Sequence, residues 1–164
     1  MERREKEVID EKEIKEILDK SKYLELALCD GDQPYVVPMN YGYLLENGKL
    51  TFYLHGGKEA HKYELIKKNP KMAFSLACDV KPFEGKVACQ YGMTYSSIMG
   101  KGVAHMVDDV EEKKRALTLL MKAQTGKDFT FNEKLVSIVH VIRIDVTEFH
   151  ARKRPLPPAM QGGK

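Results

Sequence analysis

Apolar positions recur along the chain with two different periods, and the switches between them divide it into elements. Ile14, Ile17 and Leu18 follow one another at helical spacing behind Asp10. Glu13 stands three residues after that aspartate, so a helix with a capping box opens the pattern. Leu24, Leu26 and Leu28 then alternate with Glu25 and Ala27, which is a strand with one buried face. Asp30-Gly31-Asp32 turns the chain into a second strand, Tyr35 to Leu45. Asn47-Gly48 between two apolar, aromatic-rich runs is the strongest hairpin signal, and the strand beyond it runs from Leu50 to His55. Gly56-Gly57 breaks that strand, and Lys58 to Lys68 reads as a helix with Leu65 and Ile66 facing inward. Asn69-Pro70 ends this helix, because the residue before a proline is pushed out of the α region.

Met72 to Cys78 follows as a strand, and a loop with Pro82 and Gly85 leads to a long β segment. That segment runs from near Val87 through Tyr95 to Val107, as one strand or two, with a bulge expected at Gly100-Lys101-Gly102. Asp108 and Asp109 start another helix with the stripe Ala116, Leu117, Leu120 and Met121, and Gly126 stops it. A last strand spans Ile138 to Phe149. Strands outnumber helices and adjoin through hairpins, so the pattern predicts a mainly antiparallel β-barrel with helices packed outside.

Composition narrows the function classes. The 164 residues suit one domain, and 43% hydrophobic with 31% charged residues supports a packed core rather than a disordered chain. The net charge of +3 comes from interleaved acidic and basic residues, which argues against a nucleic-acid binder. The basic run Arg152-Lys153-Arg154 adjoins a short Pro-rich tail and reads as a solubilising extension. No apolar run approaches a membrane span, and the charged start Met1-Glu2-Arg3-Arg4-Glu5-Lys6 lacks an apolar signal region. A cytoplasmic location is the expectation. Cys29, Cys78 and Cys89 are odd in number and dispersed, as reduced thiols would be.

The usual catalytic signatures are missing: there is no nucleophile elbow, Walker loop, zincin helix or dinucleotide-binding glycine motif. The acidic pairs at Asp108-Asp109 and Glu111-Glu112 fit stabilisation of a helix dipole. His55 and His61 have no third ligand nearby, so no metal site is expected. One region carries chemistry on physical grounds. A strand ends at His55, the Gly56-Gly57 turn follows, and a helix opens with His61 and Lys62 in its first turns. Free backbone amides beside two basic side chains make a phosphate site. A plain strand-to-helix turn with solvated basic residues accounts for the same pattern equally well.

Three stretches change that balance: Pro34 to Gly42 (PYVVPMNYG), Leu54 to Lys62 (LHGGKEAHK) with Leu65 and Asn69-Pro70, and Tyr95 to Ala104 (YSSIMGKGVA). With Glu112, Lys113, Ala116 and Leu117 on the third helix and the closing Val141 to Asp145, they resemble the pyridoxamine 5'-phosphate oxidase-like superfamily. Within it, they are closest to the nitroimidazole-resistance branch. The resemblance spans roughly residues 10 to 152. It implies a six-stranded antiparallel Greek-key split barrel with flanking helices over residues 1–152, and a C-terminal tail over 153–164. It also implies a homodimer that holds flavin mononucleotide (FMN) at the subunit interface.

Carried over by position, Val37, Pro38, Met39, Asn40 and Tyr41 would offer backbone groups to the flavin ring. His55, Gly56 and Gly57 would lie beside that ring, His61 and Lys62 would hold the phosphate, and Tyr95, Ser96 and Ser97 would flank the flavin. His55 would be the catalytic residue, donating a proton or a hydrogen bond to the reduced substrate. Ala60 stands where the family often has glycine, and His150-Ala151-Arg152 where it often has Thr-Gly-Lys. The Arg and His signature of true pyridoxamine phosphate oxidases near the C-terminus is not evident, so vitamin B6 chemistry is not implied. The expected activity is reduction of small electrophiles such as nitroaromatic compounds. The alternatives are a flavin-binding module without turnover, and a haem- or deazaflavin-binding barrel with His105 or His150 as an axial ligand.

Overall fold

The computed structural model describes residues 5–160. Eight strands and four helices alternate in the order β1 (Lys6–Val8), α1 (Glu11–Lys20), β2 (Leu24–Asp30), β3 (Gln33–Met39), β4 (Gly42–Glu46), β5 (Lys49–Gly56), α2 (His61–Lys68), β6 (Lys71–Phe83), β7 (Gly92–Val107), α3 (Val110–Thr125), α4 (Glu133–Ser137) and β8 (His140–Arg154). All strand pairs are antiparallel, in the order β3-β2-β6-β7-β8-β5-β4, with β1 alongside the C-terminal end of β8. Strands β3 and β4 lie at opposite ends of that path, so the barrel is split rather than closed by hydrogen bonds. The split-barrel architecture expected from the sequence is present, with eight strands in place of six.

The added strands have local causes. The expected second strand, Tyr35 to Leu45, is two strands, because the chain leaves one half of the sheet at Asn40-Tyr41 and rejoins the other half. Tyr41 anchors that crossing. Its side chain is fully buried against Phe52, and its hydroxyl lies 2.7 Å from the Leu18 carbonyl and 3.0 Å from that of Ser21. Strand β1 and helix α4 have only three and five residues, too short to show a period. Helix α2 opens three residues later than the pattern suggested, because Ala60 is extended at φ −162°. Strand β8 continues past Phe149 to Arg154, held on both sides by β7 and β1.

Two clusters fill the fold. The larger occupies the barrel interior and includes Leu18, Leu26, Phe52, Leu54, Phe74, Ile98 and Ile144. The smaller lies on the outer face of β5, β7 and β8 beneath α3 and α4, and includes Tyr53, Val107, Leu117, Val136 and Val141. The turn and cap chemistry follows the sequence. Asn47 and Gly48 both have positive φ in the hairpin turn, and Gly126 closes α3 in the left-handed region. The bulge expected at Gly100-Lys101-Gly102 falls between Lys101 and Gly102.

Candidate functional site

Alternation along β5 decides what the end of that strand presents. Leu50, Phe52 and Leu54 point into the barrel, whereas Tyr53 belongs to the outer cluster. His55 therefore shares the outer face with Tyr53, and Gly56 faces inward. The two sides meet at the Gly56-Gly57 turn.

On the inner side, Tyr63 from the first turn of α2 lies over Gly56. A Cβ at Gly56 would stand 2.4 Å from the Tyr63 hydroxyl, so only glycine leaves room for it, while Lys62 Nζ, 3.6 Å from the same point, is at ordinary contact distance. Tyr63 is 4% exposed, and its hydroxyl has no hydrogen-bond partner. Its ring is tilted against His140 at 4.8 Å, and Lys62 Nζ stands 5.0 Å from its centroid. Burial pushes the Tyr63 phenol pKa up, so this hydroxyl stays protonated. On the outer side, His55 Nδ1 is buried without a partner, and burial holds the imidazole below its ordinary pKa. Two unpartnered buried polar atoms thus flank one turn, one on each face of the strand.

Helix α2 adds to this. Asp10, Asp109 and Asn132 cap their helices with side-chain oxygens, while Ala60 gives α2 no side-chain cap. The Tyr63 amide donates to the Ala60 carbonyl at 3.1 Å, which leaves the opening amides of His61 and Lys62 for another acceptor. Its two basic residues differ in environment. His61 Nε2 lies 2.8 Å from Asp30 Oδ2, with the Tyr35 ring at its edge. Among the described residues, no carboxylate lies within ion-pair distance of Lys62, whose ammonium faces the Tyr63 ring instead.

The other sequence-selected residues fall into two groups. Met39 and Tyr41 are buried, Val37 packs against the interior cluster, and Ser96 is 2% exposed. Their side chains serve the core, which leaves only their backbone for a ligand. Pro38, Tyr95 and Ser97 lie on the opposite face from those core neighbours. Strand β3 forms the sheet edge, so its outward backbone groups are not used by the sheet. Ser97 pairs with Arg152, whereas His55 pairs with Val141, which in turn pairs with Val107. Ten residues of β7, roughly 33 Å of strand, separate Ser97 from that row. One copy of the chain therefore does not bring Tyr95 to Ser97 together with His55.

His105 and His150, the candidate axial ligands, are both turned to carboxylates. His105 Nε2 is 3.1 Å from Asp145, and His150 lies 3.5 Å from Glu148 and 3.8 Å from Glu7. Among the described residues, no group of three or more His, Cys, Asp or Glu side chains is placed to hold a metal ion. No helix among them is long and apolar enough to cross a membrane. An open cleft of about 800 Å³ lies elsewhere, between α1, β4 and the end of α3. Several of its polar side chains are already engaged: Lys15 with Glu11, Tyr43 with Asp19, and Lys122 with Asp128.

The residues that complete the turn, Tyr63, His140 and Asp30, were not selected from the sequence. Tyr63 reads as an ordinary core position of a helix. Asp30 is 31 residues from His61 in the chain, and only the fold brings them together.

The model of the pyridoxamine 5'-phosphate oxidase family matches residues 10–153, nearly the whole fold. The chain belongs to this family. No curated protein sequence matches it. Among solved structures, it is similar to a candidate 5-nitroimidazole antibiotic resistance protein from Bacteroides thetaiotaomicron. That likeness has 28% identity and a TM-score of 0.76, over 91% of this chain and 87% of that one. The fold also matches an FAD- and haem-binding protein from Mycobacterium smegmatis, with 14% identity and a TM-score of 0.77 over 97% and 81%. A flavocytochrome from Azotobacter vinelandii matches with 17% identity and a TM-score of 0.74 over 93% and 71%. Within the family, then, this chain carries the split barrel with a Gly-Gly turn, a helix without a side-chain cap and a lysine that, among the described residues, has no carboxylate at ion-pair distance.

Proposed function

We propose that the protein binds FMN and acts as a homodimeric oxidoreductase on small electrophiles of the nitroaromatic kind. The observation that carries this reading is the Gly56-Gly57 turn, where α2 opens without a side-chain cap beside Lys62, which has no carboxylate at ion-pair distance among the described residues, and the partnerless buried Tyr63 hydroxyl, with His55 Nδ1 on the other face of the strand. These residues fit a flavin phosphate. The α2 amides and Lys62 would hold it, and the edge backbone of β3 would serve the polar rim of the ring. Bound FMN supplies the hydride and electron chemistry, so the protein needs no nucleophile or acid pair of its own. His55, kept neutral by burial, is suited to donate a hydrogen bond from its imidazole N–H beside the turn.

The separation of Ser97 from His55 supports a dimer, since a second copy can bring its own Tyr95 to Ser97 against the first copy's turn. The family match and the likeness to the Bacteroides protein support the substrate class.

The test is the visible spectrum of protein purified with added FMN, taken across a sizing column with wild type and Lys62→Ala. Flavin bands that travel at dimer mass and weaken by tenfold or more in affinity in the variant are expected. A colourless protein that ignores FMN would sink the reading.

A further inference from the structure

We infer that the outer face of β7 and β8 around Tyr95, Arg152 and Arg154 is a binding site for a small carboxylate, and that Glu5, next to β1, fills it in place of a ligand. The inference goes beyond the FMN reading and stands apart from it, since neither the arginines nor Glu5 have a part there.

Strand pairing puts these residues together. On β7 and β8, Tyr95 lies opposite Arg154 and Ser97 opposite Arg152. They alternate with buried Ser96, Ile98 and Ala151, so all four turn outward, and the basic run is strand rather than a solvated tail. Strand β1 follows the other edge of β8 with Lys6 opposite Lys153, which brings Glu5 level with Arg154. The Tyr95 hydroxyl donates to one oxygen of the Glu5 carboxylate, and Arg152 Nη1 lies 3.4 Å from the other. One carboxylate is thus met by a phenol and a guanidinium, the donors that a carboxylate ligand would use. A second cation has its charge to spare. Arg154 Cζ stands 5.7 Å from the centre of the Phe83 ring, and among the described residues no carboxylate lies within ion-pair distance of it. The hydrogen bond to Glu5 pushes the Tyr95 phenol above its ordinary pKa while Arg154 and Arg152 pull it down, so both guanidinium charges reach this hydroxyl.

The other acids nearby are turned to other partners. Glu7, opposite Arg152 on β1, lies 3.8 Å from His150, and Glu148 pairs with Lys101 at 3.0 Å. Two arginines therefore share the single carboxylate of Glu5, and that carboxylate is a replaceable occupant. The Glu5 and Arg152 side chains are 39% and 44% exposed, so water reaches their contact, and an exposed ion pair of this kind holds weakly. Strand β1 has three residues and, among the described residues, pairs with β8 alone. A tethered carboxylate competes at an effective concentration on the order of millimolar, so a free carboxylate displaces it in that range. Removing the Glu5 charge leaves both guanidinium forks and the phenol to the incoming ligand.

The experiment titrates the full chain with 4-fluorobenzoate and follows binding by fluorine NMR, with neutral 4-fluorobenzamide as the control. Wild type and Glu5→Gln are compared with two double variants, Glu5→Gln/Arg152→Gln and Glu5→Gln/Arg154→Gln. Wild type should bind the carboxylate with a dissociation constant on the order of millimolar. Glu5→Gln keeps an acceptor for the Tyr95 hydroxyl and removes the charge, so it should tighten binding at least fivefold. Each added arginine substitution should cancel that gain, and the benzamide should bind no variant better than wild type. A Glu5→Gln protein that binds 4-fluorobenzoate no better than wild type would overturn the inference, as would a gain that survives both arginine substitutions. Inorganic phosphate that displaces the probe at lower concentration than acetate does would overturn it too, by marking the site as one for phosphate. None of these outcomes involves Lys62 or the Gly56-Gly57 turn, so the FMN reading stands or falls on its own spectrum.

Discussion

Two tyrosines sit at junctions between consecutive elements of this barrel, both buried, and they are treated in opposite ways. Tyr41, where β3 gives way to β4, has its hydroxyl shared between the Leu18 and Ser21 carbonyls at the end of α1. Tyr63, where β5 gives way to α2, has a hydroxyl with no partner. The same contrast runs through the surroundings. Helix α1 is capped by Asp10 and the carbonyls of Ile17 and Leu18 at its end are met, whereas α2 has no side-chain cap and, among the described residues, no carboxylate lies within ion-pair distance of its opening Lys62. A fold that satisfies its polar groups at one junction and leaves them open at another is separating structure from binding. Groups already satisfied stabilise the apo chain, and groups left open are the ones to which the proposed function assigns a ligand.

The sharpest way to break this comparison is to remove each hydroxyl in turn. Tyr41→Phe strips two buried carbonyls of their donor and should cost about 1–3 kcal/mol of unfolding free energy. Tyr63→Phe removes a buried group that has no partner, so it should be neutral or stabilising in the apo protein. Urea denaturation of both variants decides the matter. A Tyr63→Phe that costs as much as Tyr41→Phe would show that the open junction is closed by some contact within the chain.

A smaller effect comes from the helix caps. Asp109→Ala removes the oxygen that accepts from the Glu112 amide at 2.8 Å and should cost about 1 kcal/mol. Ala60→Asp does the reverse at α2, where the extended backbone already suits a cap. It should gain a few tenths to about 1 kcal/mol in thermal stability. The same carboxylate would occupy the amides assigned to phosphate, so FMN affinity should fall at least tenfold while stability rises. A variant that gains stability and keeps its affinity would place the phosphate elsewhere.

How far these junctions were legible in the sequence depends on range. The caps at Asp10 and Asp109, the hairpin at Asn47-Gly48 and the stop at Gly126 are local, and their chemistry is written within four residues. The Gly56-Gly57 turn with His61 and Lys62 was legible for the same reason. What the sequence hid is long-range: the break at Tyr41 depends on carbonyls 20 and 23 residues back, and Asp30 meets His61 only through the barrel. Burial was hidden too. Ser96 and Ser97 look alike in the chain, yet pleating turns one into the core and the other to the opposite face.

The smallest and most specific effect belongs to His55 itself. Its Nδ1 is buried without a partner, and burial holds its pKa below the ordinary value, so the folded state resists the proton that the unfolded chain accepts. The unfolded chain therefore binds more protons as pH falls through the ordinary histidine range, about 6.5, and stability drops there. The contribution is complete above that pH and is lost progressively toward the lowered folded-state value. His55→Gln removes the titration and should flatten that part of the stability profile between about pH 7 and pH 5, leaving the slope from the other histidines in place. Urea midpoints at half-unit pH steps for wild type and variant give the comparison. Superimposable profiles would mean that His55 reaches solvent in the folded protein, and so that the outer side of the turn is not the dry wall a flavin edge requires.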